Sequence, residues 1–197
     1  MSGLLISCAS PAALRSAREG AERIRGITSA IRVFTDPDAD AVSISPIDVR
    51  APMRAALDVA MHAIRDRAAL TTMLPDAAFV NANEGQLAQV FLNLLTNAAQ
   101  AIPEGDPEHH EIRVAVIPDG DRVAIEVADT GVGIPAGLVG RVFEPFFTTK
   151  PVGEGTGLGL SISHNIITAF AGTIAVTSSI GRGSTFRVEL PAAGQGA

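Results

Sequence analysis

The chain has 197 residues, a formal net charge of −6 and a hydrophobic share of 47%, which bounds it to one domain, or one domain and an appendage, with enough apolar mass for a core. An acidic surface gives no general attraction to nucleic acid or anionic membrane, and Cys8, the single cysteine, excludes an internal disulfide or a multi-cysteine metal site. No stretch approaches the roughly 20 apolar residues that span a bilayer, and the opening MSGLLISCAS lacks a basic residue ahead of its short apolar run, so it does not read as a lipoprotein signal. A cytoplasmic location is expected.

In chain order, AALRSAREGAERIRGITSAIRVF sets Leu14, Ala17, Ala21, Ile24, Ile31 and Phe34 at spacings of three and four. This predicts an amphipathic helix over 11–34 whose narrow stripe suits a partner helix. TDPDADAVSISP has no periodicity and reads as a linker. The expected organisation is an N-terminal segment 1–38, a linker 39–46, a main domain 47–192 and a tail 193–197.

From Asp48 a second helix carries Val49, Met53, Leu57, Ala60 and Ile64 on one face, with Pro52 in its first turn. A third, EGQLAQVFLNLLTNAAQAI, has a wide face of Leu87, Val90, Phe91, Leu94, Leu95, Ala98 and Ile102, and is stopped by Pro103 and Gly105. Four segments alternate at period two, EIRVAVI, RVAIEVAD, TIAVTS and STFRVEL, and pair as hairpins across PDGD and SIGRGS. Between the hairpins a helix puts Leu158, Ile162, Ile166 and Phe170 on one face and ends at Gly172. The fold class expected is α+β, a mixed, mostly antiparallel sheet covered on one face by helices.

EGTGLGLS, at the mouth of that last helix, suits close approach of a phosphate to the main chain. It also suits a flexible loop. It is not a Walker loop, because Leu160 rather than Lys follows Gly159, and not a dinucleotide fingerprint, because Leu160 stands where a third glycine belongs. On the third helix Gln89, Asn93, Asn97 and Gln100 form one polar line. Its amide oxygens are the neutral hard ligands that Mg²⁺ accepts beside phosphates; the same line is also what the wet side of an amphipathic helix looks like. VAIEVADTGVGIP ends a strand on Asp129 ahead of Gly131 and Gly133. A buried carboxylate there accepts from the exocyclic amine of adenine, which guanine lacks at that position, while the glycines admit a flat ring. An ordinary Asx turn has the same residues.

Together these segments resemble the ATP-binding catalytic domain of sensor histidine kinases, of the GHKL superfamily shared with type II topoisomerases, mismatch-repair ATPases and large heat-shock chaperones. NLLTNAAQAI (93–102) resembles the N box, DTGVGIP (129–135) and GTGLGLS (155–161) the glycine boxes, FEPFFTTK (143–150) the F box and GRGSTF (181–186) the last box, all in the family's order. The resemblance implies a two-layer α/β sandwich of Bergerat type that binds ATP and Mg²⁺. It implies Mg²⁺ on Asn97, Asn93 near the phosphates and Asp129 on the adenine amine. Gly133 packs at the base, Gly131 is a further ATP-binding position, and Thr185 reaches the ring through water. Lys150, on a lid over about 136–156, is the cation for the terminal phosphates, and Thr156, Gly157, Leu158 and Gly159 form the phosphate-facing helix mouth. Gln100 and Ala101 stand where many relatives carry Lys or Arg and Tyr, so the phosphate contact of Gln100 is the least supported.

The helix over 11–34 resembles the second arm of a dimerisation hairpin, with no first arm in the sequence and no phosphoacceptor. His110 sits in HEIR, but Ile112, Val114 and Val116 alternate as a strand; His62 lies opposite its helix's stripe; His109 and His164 lack a nucleophile's neighbours. The expected function is donation of the γ-phosphoryl group of Mg·ATP to a histidine outside this chain, with a response-regulator receiver domain downstream, no nucleic acid or membrane partner, and a homodimer through 11–34. Two other readings remain: a serine-directed regulator of the anti-sigma type, and a non-catalytic nucleotide-sensing or dimerisation module.

Overall fold

Residues 43–151 and 155–194 are described by a computed structural model; the helix expected over 11–34 and the first half of the expected linker lie outside them. Period-two alternation sets the sheet. β4 (Glu111–Asp119) and β5 (Arg122–Asp129) pair antiparallel as one hairpin, and β6 (Thr173–Ser179) and β7 (Gly183–Pro191) as the other. β7 docks against β5, giving the order β2-β4-β5-β7-β6, in which only the pairing of β2 (Ala69–Met73) with β4 is parallel. The sheet is therefore mixed and mostly antiparallel, as expected.

Ile112, Val114 and Val116 of β4, Val123, Ile125 and Val127 of β5, and Phe186, Val188 and Leu190 of β7 are all buried on one sheet face. Covering that face are α1 (Arg50–Ile64), α2 (Glu84–Ala101) and, beyond a short α3 (Ala136–Val139), α4 (Gly159–Ala169). α2 is the hub, because it packs on α1, α4, β5 and β7. Its Leu87, Phe91, Leu94 and Leu95 are fully buried, and each contributes roughly 1.5–3 kcal/mol by leaving water. Among the described residues no helix is long and apolar enough to cross a membrane.

The ends of α2 have identifiable causes. Asn83 is the N-cap and its side chain accepts the Gln86 N–H at 3.0 Å. Ile102, forced out of the helical region by Pro103, turns extended at φ −102, ψ 129. Arg67 then donates to the Ile102 carbonyl at 2.6 Å and to Glu104 at 2.5 Å, covering the exposed C-terminal end.

The terminus of α4 differs from expectation. Gly172 stands beyond the left-handed position, which Ala171 occupies at φ 55. The Ala171 N–H reaches Thr168 O at 3.0 Å and the Gly172 N–H reaches Ile167 O at 2.9 Å, the two bonds of a Schellman ending. Gly172 is required by space, since a Cβ there meets the Glu189 carbonyl oxygen at 2.6 Å.

Three short strands add to those expected from the sequence. β1 (Ser45–Asp48) and β3 (Phe79–Ala82) form a separate two-stranded sheet, and β2 is an edge strand with little burial. Four- and five-residue strands carry too few turns of alternation to register, and β1 contains Pro46, tolerated at a sheet edge.

Candidate functional site

The apolar face of α2 claims its inner side and leaves the polar line at the edge of the helix layer. Asn93 and Asn97 are half-buried there, while Gln89 and Gln100 are exposed. Asn93 Nδ2 donates to Ser163 Oγ on α4 at 3.0 Å, and its Oδ1 receives a long 3.5 Å contact from Asn97 Nδ2. Asn97 Oδ1 faces the other way and accepts from Lys150 Nζ at 3.3 Å; the same ammonium donates to Gln100 Oε1.

The glycine segments converge on this helix. Val132 N–H bonds Ala101 O at 3.0 Å, and a Cβ on Gly131 would sit 2.4 Å from that oxygen. A Cβ on Gly159 would sit 2.2 Å from Asn93 Oδ1, so only glycine lets the start of α4 lie against the amide. Gly133, at φ +72 and with the Ser179 carbonyl 2.1 Å from where its Cβ would be, locks the loop after β5 onto the β6–β7 turn. Gly157 lies against Phe146, whose N–H bonds the Gly157 carbonyl at 2.9 Å.

Asp129 ends β5 at 6% exposure. Its Oδ1 accepts from the N–H groups of Gly131 at 2.8 Å and Ser184 at 3.3 Å, while Oδ2 has no hydrogen-bond partner among the described residues. Desolvation raises its pKa above the ordinary value, against the opposing pull of the two amide donors. Two hollows of about 220 and 170 Å³ adjoin it, both bordered by Arg182 and Thr185.

Strand parity separates Thr185 from Asp129. Thr185 pairs with Ala128 and Phe186 with Val127, so Thr185 belongs to the sheet face away from the helices. Ser184 is the neighbour of Asp129: it is buried, donates its N–H to the carboxylate and shares a 2.9 Å hydroxyl contact with Ser178. The sequence carried this signal, because the core residues Phe186, Val188 and Leu190 fix which face Ser184 shares.

In the lid, Phe143 packs against the core and tilts toward His164 with ring centres 5.8 Å apart. Phe147 lies under the Arg141 guanidinium at 4.6 Å, and Phe146 is 75% exposed with φ 66. Thr156 Oγ1 accepts the Leu158 N–H at 3.3 Å. The Leu158 side chain is in the core, so only its backbone faces the helix mouth. α4 has no side-chain cap, leaving its first N–H groups available.

The four histidines are scattered. His62 is exposed on α1, and His109 binds Asp106 at 2.6 Å, which raises its pKa. His110 contacts Thr130, and His164 sits against Phe143.

Helices on one face of this sheet, with the glycine loops and the lid gathered on one amide-bearing helix, define a nucleotide-binding class, and the comparison with known proteins agrees. Residues 82–194 match the family described as histidine kinase-, DNA gyrase B-, and HSP90-like ATPase, and the chain belongs to that family. Sensor kinase CckA of Brucella abortus (strain 2308) is 44% identical over 57% of this chain and 13% of its own length. The solved catalytic domain of histidine kinase ThkA superposes with a TM-score of 0.64 at 28% identity, over 75% of this chain and 95% of that domain. Full-length ShkA in complex with AMPPNP gives 0.75 at 27% identity, over 94% of this chain and 39% of that one. The chain thus carries the ATP-binding catalytic domain of a two-component sensor kinase and spans about an eighth of the length of CckA.

Proposed function

We propose that the domain binds Mg·ATP between α2, the strand ends and the lid, and donates the γ-phosphoryl group to a histidine held on a helix outside the described residues. The observation that carries this is the assembly on α2. The loop after β5 rests on Ala101, α4 opens on Asn93, and the lid lysine meets Asn97 and Gln100. Asn93 and Gln100 are seven residues apart, so the ridge spans about 10 Å.

Adenine enters with its exocyclic amine toward Asp129 Oδ2, since Oδ1 is already occupied by two N–H donors. Ser184 stands beside that contact and is the hydroxyl this reading sets next to the ring, in place of the Thr185 expected from the resemblance. Guanine would set a carbonyl oxygen against the carboxylate, leaving two acceptors without a proton. The uncapped N–H groups of α4, from Gly159 onward, face the phosphates, and Lys150 supplies positive charge from the lid.

The Asn97 amide oxygen suits a divalent cation, because it already accepts from an ammonium. Among the described residues no cluster of three or more His, Cys, Asp or Glu competes as a metal site. A divalent cation held by Asn97 would neutralise charge on the phosphates. Positioning and charge are most of what phosphoryl transfer asks of the donor domain. A receiver domain is the downstream acceptor, and a domain that consumes ATP belongs in the cytoplasm.

Calorimetry tests the binding step. Mg·ATP binds and Mg·GTP does not, and Asn97→Ala impairs Mg²⁺-dependent binding more than Asn93→Ala does. Equal affinity for the two nucleotides would overturn the adenine assignment.

A further inference from the structure

The polar line of α2 ends on a cation that the chain itself supplies. Lys150 Nζ lies 3.3 Å from Asn97 Oδ1 and also donates to Gln100 Oε1, two neutral carbonyl oxygens three residues apart on one helix face. The approach is fixed by the lid's own backbone. Thr148 Oγ1 accepts the Lys150 N–H at 3.1 Å, and Gly155 lies so close beneath that a Cβ there would come within 2.8 Å of Thr148 Oγ1 and 3.2 Å of the Lys150 side chain.

We propose that Lys150 is a placeholder for the metal. In the nucleotide-free domain its ammonium holds the Asn97 oxygen where a divalent cation belongs, and Gln100 is the positioning residue that keeps the lysine there. The inference rests on the reading of Asn97 as the metal ligand. Two cations repel strongly at the separation one amide oxygen imposes, so occupation of Asn97 by metal and by Lys150 is exclusive. Loading with metal and nucleotide therefore releases Lys150 from Asn97. Gln100 still accepts from it, which keeps the ammonium at the phosphate end of the ridge rather than in solvent. Metal entry and loss of the Lys150–Asn97 contact become one coupled step.

Two measurements on the whole chain test this: the Mg²⁺ midpoint for ADP binding by calorimetry, and the rate of chymotryptic cleavage at the lid phenylalanines without nucleotide. Lys150→Met removes the competitor, so its Mg²⁺ midpoint falls by about fivefold or more, the lower end of ordinary coupling between sites. Gln100→Leu, which keeps the ammonium but removes one acceptor, shifts the midpoint in the same direction by less. Lys150→Arg keeps the cation and stays near the parent. Lid cleavage in the nucleotide-free state rises in both Lys150→Met and Gln100→Leu. Midpoints equal to the parent's in Lys150→Met and Gln100→Leu, or unchanged lid cleavage, overturn the proposal. If the parent binds no ADP at any Mg²⁺ concentration, the nucleotide reading fails instead, and the cleavage rates still decide whether the lid is held through Lys150.

Discussion

At the scale of single residues, Asp129 sets function against stability. Burial raises its carboxyl pKa above the ordinary 3.8, so the native state holds this proton more tightly than the unfolded chain does. The stabilisation is present below the unfolded value and is lost as pH rises through the folded one. At neutral pH the ionised group is therefore a cost of the nucleotide-free fold. Asp129→Asn keeps the Oδ1 acceptor for Gly131 and Ser184 and removes the buried charge. Its thermal midpoint without nucleotide is equal to or above the parent's at pH 7, and the gap narrows as pH falls. Its ATP affinity drops by about tenfold or more, the value of one hydrogen bond to a charged group. Unchanged ATP affinity in calorimetry would refute the role. Ser184→Ala weakens ATP binding more than Thr185→Ala, measured the same way. The sequence makes Asp129 legible because a strand ends on it before two glycines, and Ser184 is legible from the parity that the core residues Phe186, Val188 and Leu190 impose on β7.

Among the elements, α4 carries two glycine-related constraints with different consequences. Ala171 sits in the left-handed region, where a Cβ is costly, so Ala171→Gly stabilises the domain by about 0.5–1 kcal/mol in urea unfolding. Gly159→Ala acts otherwise, because the atom its Cβ would strike is the end of the Asn93 side chain, which can rotate away. Stability then changes by less than about 1 kcal/mol, while nucleotide binding falls because Asn93 has been moved. Equal losses of stability and binding would mean that the backbone, rather than Asn93, gives way. The elements read from sequence were those with long periodic stripes: α1, α2, α4 and the four long strands. β2 was illegible because its identity as a strand comes from β4, more than 35 residues on, and its own side chains gain little by burial. Loop positions were legible as glycines, but the partners that require glycine (Ala101, Asn93, Ser179 and Phe146) emerge only once the layers are stacked.

Across the whole molecule, the helices cover one sheet face and the other carries an ion-pair network beside Ala115 and Ala124, with Arg187 bridging Glu126 at 2.6 Å and Glu189 at 2.8 Å. A charged, paired face of this kind does not extend the core, which leaves the nucleotide side as the place where the proposed acceptor helix would dock. The four histidines stand apart, His62 and His164 on different helices, His109 tied to Asp106 and His110 against the strand-end Thr130, and the proposal puts the acceptor on none of them. The chain alone should therefore bind labelled ATP and incorporate no label. Adding a helical hairpin that bears an exposed histidine followed by an acid should restore incorporation on that hairpin. The label should be lost in acid, as phosphohistidine is and phosphoserine is not, which separates histidine transfer from a serine-directed regulator. Were the stripe expected over 11–34 to pair two chains, as packing favours for an amphipathic segment, incorporation would rise with protein concentration. Mass spectrometry finding stoichiometric phosphate on His62, His110 or any other residue of the unsupplemented chain would place the acceptor inside this sequence and overturn the assignment.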